Sequence, residues 1–233
     1  MKIALLGYGK MGKTIEKLAV EKGHEVVFKS TKDWQEGTLK IAEVAIEFSS
    51  PEAAVANISL CFEKGIPVVC GTTGWLGQYA EIIKQCESSN GSFIYASNFS
   101  VGVNLFFELN RYFAKLMQPW KDYVPSITEI HHTQKKDAPS GTAISLAEDV
   151  LSFSEKTKWS LDAQNQMELP IKAVREGDVK GTHIVSYNAE IDSLSIKHEA
   201  HSRDGFALGA ILAAEWLQGK KGVYTMKEVL NVK

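Results

Sequence analysis

Residues 129–142 read Glu-Ile-His-His-Thr-Gln-Lys-Lys-Asp-Ala-Pro-Ser-Gly-Thr, and they gather groups able to do chemistry. Adjacent side chains of a strand point to opposite faces, so His131 and His132 cannot do the same job. Lys135 adds an ammonium shortly after them. Pro139-Ser140-Gly141-Thr142 then reads as a helix start with Ser140 at the N-cap. A helix start with a hydroxyl and free amides binds a carboxylate well. Two imidazoles, an ammonium and an anion cradle suit a small polyanionic substrate that must receive a proton. The plainer reading is a pair of surface histidines beside an ordinary capped helix. Arg203, in HSRDGF, could hold a further carboxylate or make a domain or subunit contact.

A second chemical signal lies at the start of the chain. Gly7-Tyr8-Gly9-Lys10-Met11-Gly12 is a G-x-G-x-x-G turn between an apolar strand and a helix. Such a turn brings a dinucleotide pyrophosphate onto a helix N-terminus. NAD-selective sites usually carry a carboxylate after the second strand. Here that position reads Phe28-Lys29-Ser30-Thr31-Lys32, with Asp33 arriving late. Lys29 and Lys32 could meet a 2′-phosphate, or both could be solvated surface lysines. Gly71-Thr72-Thr73-Gly74 and Ala96-Ser97-Asn98-Phe99 follow two further apolar runs, where ligands bind in open parallel sheets, although turn chemistry alone would also favour these residues.

The elements that position these groups fall into two patterns. Over residues 1–100, short apolar runs (KIALL, EVVF, VAIEF, PVVC, SFIYA) alternate with helical spacing, as in a parallel sheet covered on both faces. After the long amphipathic stretch 101–117, the runs 126–132, 168–176, 182–190 and 193–200 follow with one helix near 141–153 among them, which suggests a mainly antiparallel sheet. The expected fold class is α/β: a Rossmann-type parallel sheet domain over 1–100, then an α+β domain with a mixed, mostly antiparallel sheet over 101–204. Residues 205–233 are expected to pack back onto the first domain.

Composition narrows the function. The 233 residues are 44% hydrophobic and 23% charged with a net charge of −2, an ordinary globular profile with no general field to recruit nucleic acid or an acidic membrane. Cys61, Cys70 and Cys86 are scattered without a C-x-x-C pair, so neither a metal site nor a redox dithiol is expected, and free thiols fit a reducing, cytoplasmic compartment. The N-terminal apolar run is broken by glycines and reads as a buried strand rather than a signal peptide, and no run is long enough to span a membrane.

The segment E-I-H-H-x-x-K-x-D-A-P-S-G-T resembles the signature of the dihydrodipicolinate reductase family. GYGKMG, EFSSP, VVCGTTG, ASNFSVGVN, REGDVKGTH and HEAHSRDGFALGA follow the family's order along the whole chain. The resemblance implies reduction of 4-hydroxy-tetrahydrodipicolinate, through dihydrodipicolinate, by NADPH or NADH in diaminopimelate and lysine synthesis. It implies a small dicarboxylate as substrate and assembly as a homotetramer through the second domain's sheet. It carries the catalytic roles to His131 and Lys135, and substrate contacts to His132, Gly141 and Thr142, to which the helix-start reading adds Ser140. It carries cofactor contacts to Gly7–Gly12, Gly71–Thr73 and Ala96–Phe99, while Lys29 remains a cofactor candidate from the residue reading alone. Two departures leave NADPH against NADH open: the phosphate loop is one residue shorter than the family's G-x-x-G-x-M-G form, and Lys29 or Ser30 stands where an acid is common. The alternatives are another Rossmann-type amino-acid dehydrogenase and a non-catalytic dinucleotide sensor.

Overall fold

The computed structural model describes residues 1–202 and 204–232, so Arg203 lies outside the described residues. The chain forms two compact units, one of Met1–Val101 with the chain from Asp204 on, the other beginning at Gly102.

The first unit begins β1 (Lys2–Leu6), α1 (Lys10–Glu21), β2 (Glu25–Ser30), β3 (Gln35–Gly37), β4 (Val44–Glu47), α2 (Pro51–Glu63), β5 (Val68–Cys70), α3 (Tyr79–Ser88) and β6 (Ser92–Tyr95). The second contains α4 (Val101–Met117), β7 (Val124–His131), α5 (Gly141–Ser152), β8 (Lys158–Ser160), β9 (Glu168–Arg175), β10 (Thr182–Asn188) and β11 (Ser193–Glu199). The chain then returns to the first unit with α6 (Asp204–Leu217), β12 (Gly222–Tyr224) and α7 (Met226–Leu230).

Seven strands form the first sheet in the order β12-β6-β5-β4-β1-β2-β3, and all pairs are parallel except β2 with β3. Because side chains alternate along a strand, its apolar runs feed two cores. Ile3, Leu5, Val44, Ile46 and Val69 pack with Ile15 and Ala19 of α1 and with Ala207, Ala210, Ile211 and Ala214 of α6. Ala4, Leu6, Ala45, Val68 and Cys70 pack on the other face with Ile58 and Cys61 of α2 and Ile82 and Cys86 of α3. Each fully buried aliphatic side chain contributes about 1.5–3 kcal/mol by leaving water.

The second sheet runs β11-β10-β7-β9-β8. Its pairs are antiparallel from β11 to β7 and parallel from β7 through β9 to β8, so it is mixed. Its buried face packs on α4 and α5 through Ile127, Val185, Leu169, Phe106 and Leu146. Along β7 the inward positions change character: Ile127 is apolar, whereas Glu129 and His131 are buried and polar. His183 stands opposite Glu129 on β10, and His198 stands opposite His183 on β11. One end of this face is therefore ionisable rather than apolar.

Candidate active site

Glu129 organises the polar end of the second unit. Its carboxylate is 0% exposed, accepts from Arg175 Nη2 at 2.9 Å and from the Ser140 backbone N–H at 2.9 Å. Burial opposes its ionisation, but the hydrogen bonds from Ser140 and Arg175 outweigh it and hold the pKa below the ordinary carboxylate value. His131 Nδ1 is 3.7 Å from Glu129 Oε2, and His183 Nε2 is 3.8 Å from the same oxygen. The two imidazoles meet edge to face with ring centroids 5.0 Å apart. Burial lowers the His131 pKa despite Glu129, and burial with His131 as neighbour takes His183 down to about 4. Both rings are thus neutral near pH 7.

Three buried ligand-type residues, Glu129, His131 and His183, come close enough to ring a metal ion. The positive charge that such a carboxylate needs is already supplied by Arg175 at 2.9 Å, and Ser140 occupies both the second carboxylate oxygen and His183 Nε2.

The remaining groups of the segment spread along the adjoining loop. His132 is half-buried, and its carbonyl accepts from the Lys135 N–H at 3.1 Å in a tight turn. Lys135 Nζ donates to both oxygens of Asp137, at 2.9 and 2.8 Å. That pairing lowers the Asp137 pKa. Ser140 caps α5, accepting from Ala143 N–H at 3.2 Å, and its hydroxyl lies 3.1 Å from His183 Nε2. Its side chain is 4% exposed, so it orders the helix start from behind. Gly141 is exposed with open space beside its Cα, and Thr142 is half-buried.

In the first unit the glycine turn makes a cradle. Gly7 sits at φ +99°, and a Cβ there would lie 2.1 Å from the Phe48 carbonyl oxygen. A Cβ on Gly12 would lie 2.4 Å from the Gly7 carbonyl oxygen, so helix and turn touch backbone to backbone. Gly9 is the reverse, exposed with nothing within 4 Å of a Cβ. It caps α1 without a side-chain hydrogen bond, which leaves the first helical amides facing out. A cavity of about 740 Å³ opens there, bordered by Gly7, Gly9, Ser30, Lys32, Ser49 and Asn57. An open Gly9 and uncapped amides fit a dinucleotide pyrophosphate.

Several other residues of the first unit have internal partners, and others face solvent. Tyr8 donates its hydroxyl to Glu16, and Lys10 is the exposed first residue of α1. Met11 packs against the α1–α6 core. Lys29 is not a solvated lysine: it pairs with Glu16 at 3.2 Å and Glu36 at 3.6 Å and lies 5.1 Å over the Tyr8 ring. Lys32, by contrast, is exposed at the cavity. Gly71 lies against the Phe48 ring, and Thr72 is buried with its hydroxyl accepting from Ser49 N–H at 2.9 Å. Thr73 and Ser97 are exposed and Ala96 is half-buried. Asn98 accepts from Ser100 N–H at 2.9 Å, and Phe99 is 1% exposed in the core, tilted against Phe48.

Family models for dihydrodipicolinate reductase match both parts of the chain, the N-terminal one over residues 1–99 and the C-terminal one over residues 102–230. The chain belongs to the dihydrodipicolinate reductase family. A 4-hydroxy-tetrahydrodipicolinate reductase of Christiangramia forsetii is 53% identical, covering 99% of this chain and 98% of that protein. Another from Archaeoglobus fulgidus is 34% identical over 99% of this chain and the whole of its own length. A dipicolinate-bound dihydrodipicolinate reductase from Paenisporosarcina sp. TG-14 shares the fold, with a TM-score of 0.78 at 21% identity, covering 100% of this chain and 99% of that one. As a member of the family the chain is an oxidoreductase that uses NAD(P)H in the diaminopimelate and lysine route.

Glu129, Arg175 and His183 were not singled out in the sequence, although each belongs to this cluster. The period of two in TEIHH places Glu129 on the face of His131, and that was the available signal for it. Arg175 and His183 come from other strands, and only the sheet register brings them in.

Proposed function

We propose that the chain reduces 4-hydroxy-tetrahydrodipicolinate, by way of dihydrodipicolinate, to tetrahydrodipicolinate, with Lys135 as proton donor, His131 beside it and the start of α5 as carboxylate cradle. One observation carries these assignments: His131 and Ser140 share the single buried carboxylate of Glu129, so the imidazole and the cradle are built as one piece.

NADPH or NADH supplies the hydride. As negative charge develops on the substrate ring, a cationic acid lowers the barrier. Lys135 carries the proton, since His131 is neutral at working pH. Asp137 presents the ammonium from the loop until a substrate carboxylate competes for it. His132, Gly141 and Thr142 hold the ring carboxylates, and Ser140 keeps the helix start in shape. In the first unit, Gly7–Gly12 receive the pyrophosphate, while Gly71–Thr73 and Ala96–Asn98 form the rim at the carboxyl ends of β5 and β6. Phe99 supports that rim from the core. Lys32 replaces Lys29 as the residue for a 2′-phosphate.

The test is NADPH and NADH oxidation followed at 340 nm with freshly generated substrate, set against Lys135→Ala. Turnover in the wild type with loss in the variant supports the reading. No turnover with either cofactor overturns it.

A homotetramer built through the second unit is supported by large apolar side chains left in solvent there, among them Ile191 at 84%, Trp120 at 62% and Val124 at 50% exposure. Light scattering measures the assembly. No helix among the described residues is long and apolar enough to cross a membrane. A cytoplasmic location, supported by the three unpaired cysteines, is tested by fractionation.

A further inference from the structure

We infer that Glu129 is a positioning residue for His131, clamped by Arg175, and that it selects the His131 tautomer with the proton on Nδ1 and the lone pair on Nε2. The inference rests on the assignment of His131 to the reaction.

Hydrogen-bond accounting leads to it. Glu129 Oε1 is taken by Arg175, and Oε2 already accepts one N–H from Ser140. Oε2 has capacity for one more donor, and among the described residues two ring nitrogens face it. His183 Nε2 is excluded. The Ser140 hydroxyl lies 3.1 Å from His183 Nε2 and, as donor or acceptor, already engages the one hydrogen-bonding site of that nitrogen, whereas 3.8 Å to Oε2 is beyond a hydrogen bond. The donor left is His131 Nδ1, which is buried and has no other partner among the described residues. At 3.7 Å the contact is longer than a hydrogen bond. Such contacts in enzymes without substrate are often long and tighten in the complex.

The other edge of the ring is kept clear. A Cβ on Gly181 would come 3.3 Å from His131 Nε2. The charged groups around the ring are Glu129, Lys135, Arg175 and Asp137, with His183 packed on its face.

Arg175 does more than neutralise. It is the strand partner of His131 on β9, and its Nη2 also donates to the Asp137 carbonyl at 2.6 Å. Asp137 in turn grips Lys135. One planar guanidinium therefore fixes both the carboxylate behind His131 and the loop that carries Lys135. Both acceptors meet the one nitrogen Nη2 while Nη1 donates to the Val174 carbonyl, and a lysine, shorter and with a single nitrogen, does not make all three contacts.

The experiment uses the full-length protein labelled with ¹⁵N-histidine, with long-range ¹H–¹⁵N correlation to read each ring, His131→Ala to assign the His131 signals, and steady-state kinetics alongside. The wild type should show His131 protonated on Nδ1 only. Glu129→Gln should shift the ring toward the Nε2–H form and lower kcat on the order of 10²-fold, the scale of a small misplacement, while the Kd for NADPH stays unchanged. Arg175→Lys should lower kcat on the same scale, and it carries the test if Glu129→Gln does not fold. A wild-type His131 protonated on Nε2 overturns the inference, as does Glu129→Gln or Arg175→Lys with unaltered tautomer and kcat. His131→Ala at wild-type kcat would instead sink the role given to His131, and the tautomer spectra would still judge Glu129.

Discussion

Arg175 and Glu129 meet at 2.9 Å across two parallel strands, where the carboxylate is wholly sealed from water. A buried acid this close to a guanidinium stays charged, and a charged acid is the one partner that can support an imidazole, a helix start and a loop together. The reactive segment in sequence is thus held from a strand that ends 46 residues beyond Glu129.

Lys135→Ala should lower kcat by about 10²–10⁴-fold, the usual range for loss of a general acid. Binding of NADPH, measured by fluorescence titration, should hardly move. A kcat near the wild-type value would place the acid elsewhere.

Thr142→Val keeps the shape of the α5 start and removes one hydroxyl. A hydrogen bond to a charged group is worth roughly 1.5–3 kcal/mol, so KM for the dicarboxylate should rise by about tenfold to a hundredfold with kcat less affected. An unchanged KM would reduce Thr142 to a helix residue.

Lys32→Ala should weaken NADPH binding more than NADH binding, with a difference that shrinks as salt rises, because the lysine is exposed at the cavity. Lys29→Glu is expected to fail as a specificity switch. It would place a third acid beside Glu16 and Glu36 and loosen the Tyr8 packing, raising Kd for both cofactors. Titrations of both variants at two salt concentrations check this, and a clean reversal of preference in Lys29→Glu would contradict it.

His183 gives the fold an acid-sensitive point. Its pKa is about 4 in the fold, and near 6.5 for a free histidine. The unfolded chain therefore takes up a proton in this window that the folded chain refuses. Stability from this site is complete above about pH 6.5 and drains away as the pH falls toward 4, by up to about 3 kcal/mol. Thermal melts between pH 7.5 and 4.5 should show this loss in the wild type and a flatter curve in His183→Gln. Parallel curves would place the sensitivity elsewhere.

Legibility in the sequence followed the range of the interactions. The strand-turn-helix start was readable because Gly7, Gly9 and Gly12 act on neighbours within a few residues. In the second unit β7, β9, β10 and β11 were readable from their period of two. Of the four three-residue strands, β5 was readable as an apolar run, whereas β3, β8 and β12 are too short to show a period. The ion pairs of Lys29 are not readable in the sequence because its partners sit on α1 and β3, and no local spacing reveals that a lysine is already paired. Phe99 follows a strand like a rim residue, yet its ring is drawn into the core by Phe48 and by the close approach of Gly209, where a Cβ would lie 1.7 Å from the Phe99 carbonyl oxygen.

The return of α6 to the first unit affects how the protein is made. Ile3, Leu5, Ile46 and Val69 emerge early in synthesis, but the alanine-rich helix that covers them is separated from Val101 by the whole second unit. At about 5–20 residues per second, that leaves one face of the parallel sheet covered by α1 alone for about 5–20 s. The second unit is continuous in the chain and has no such wait. The first unit is therefore expected to complete its core only after the second has been made, although its sheet is synthesised first.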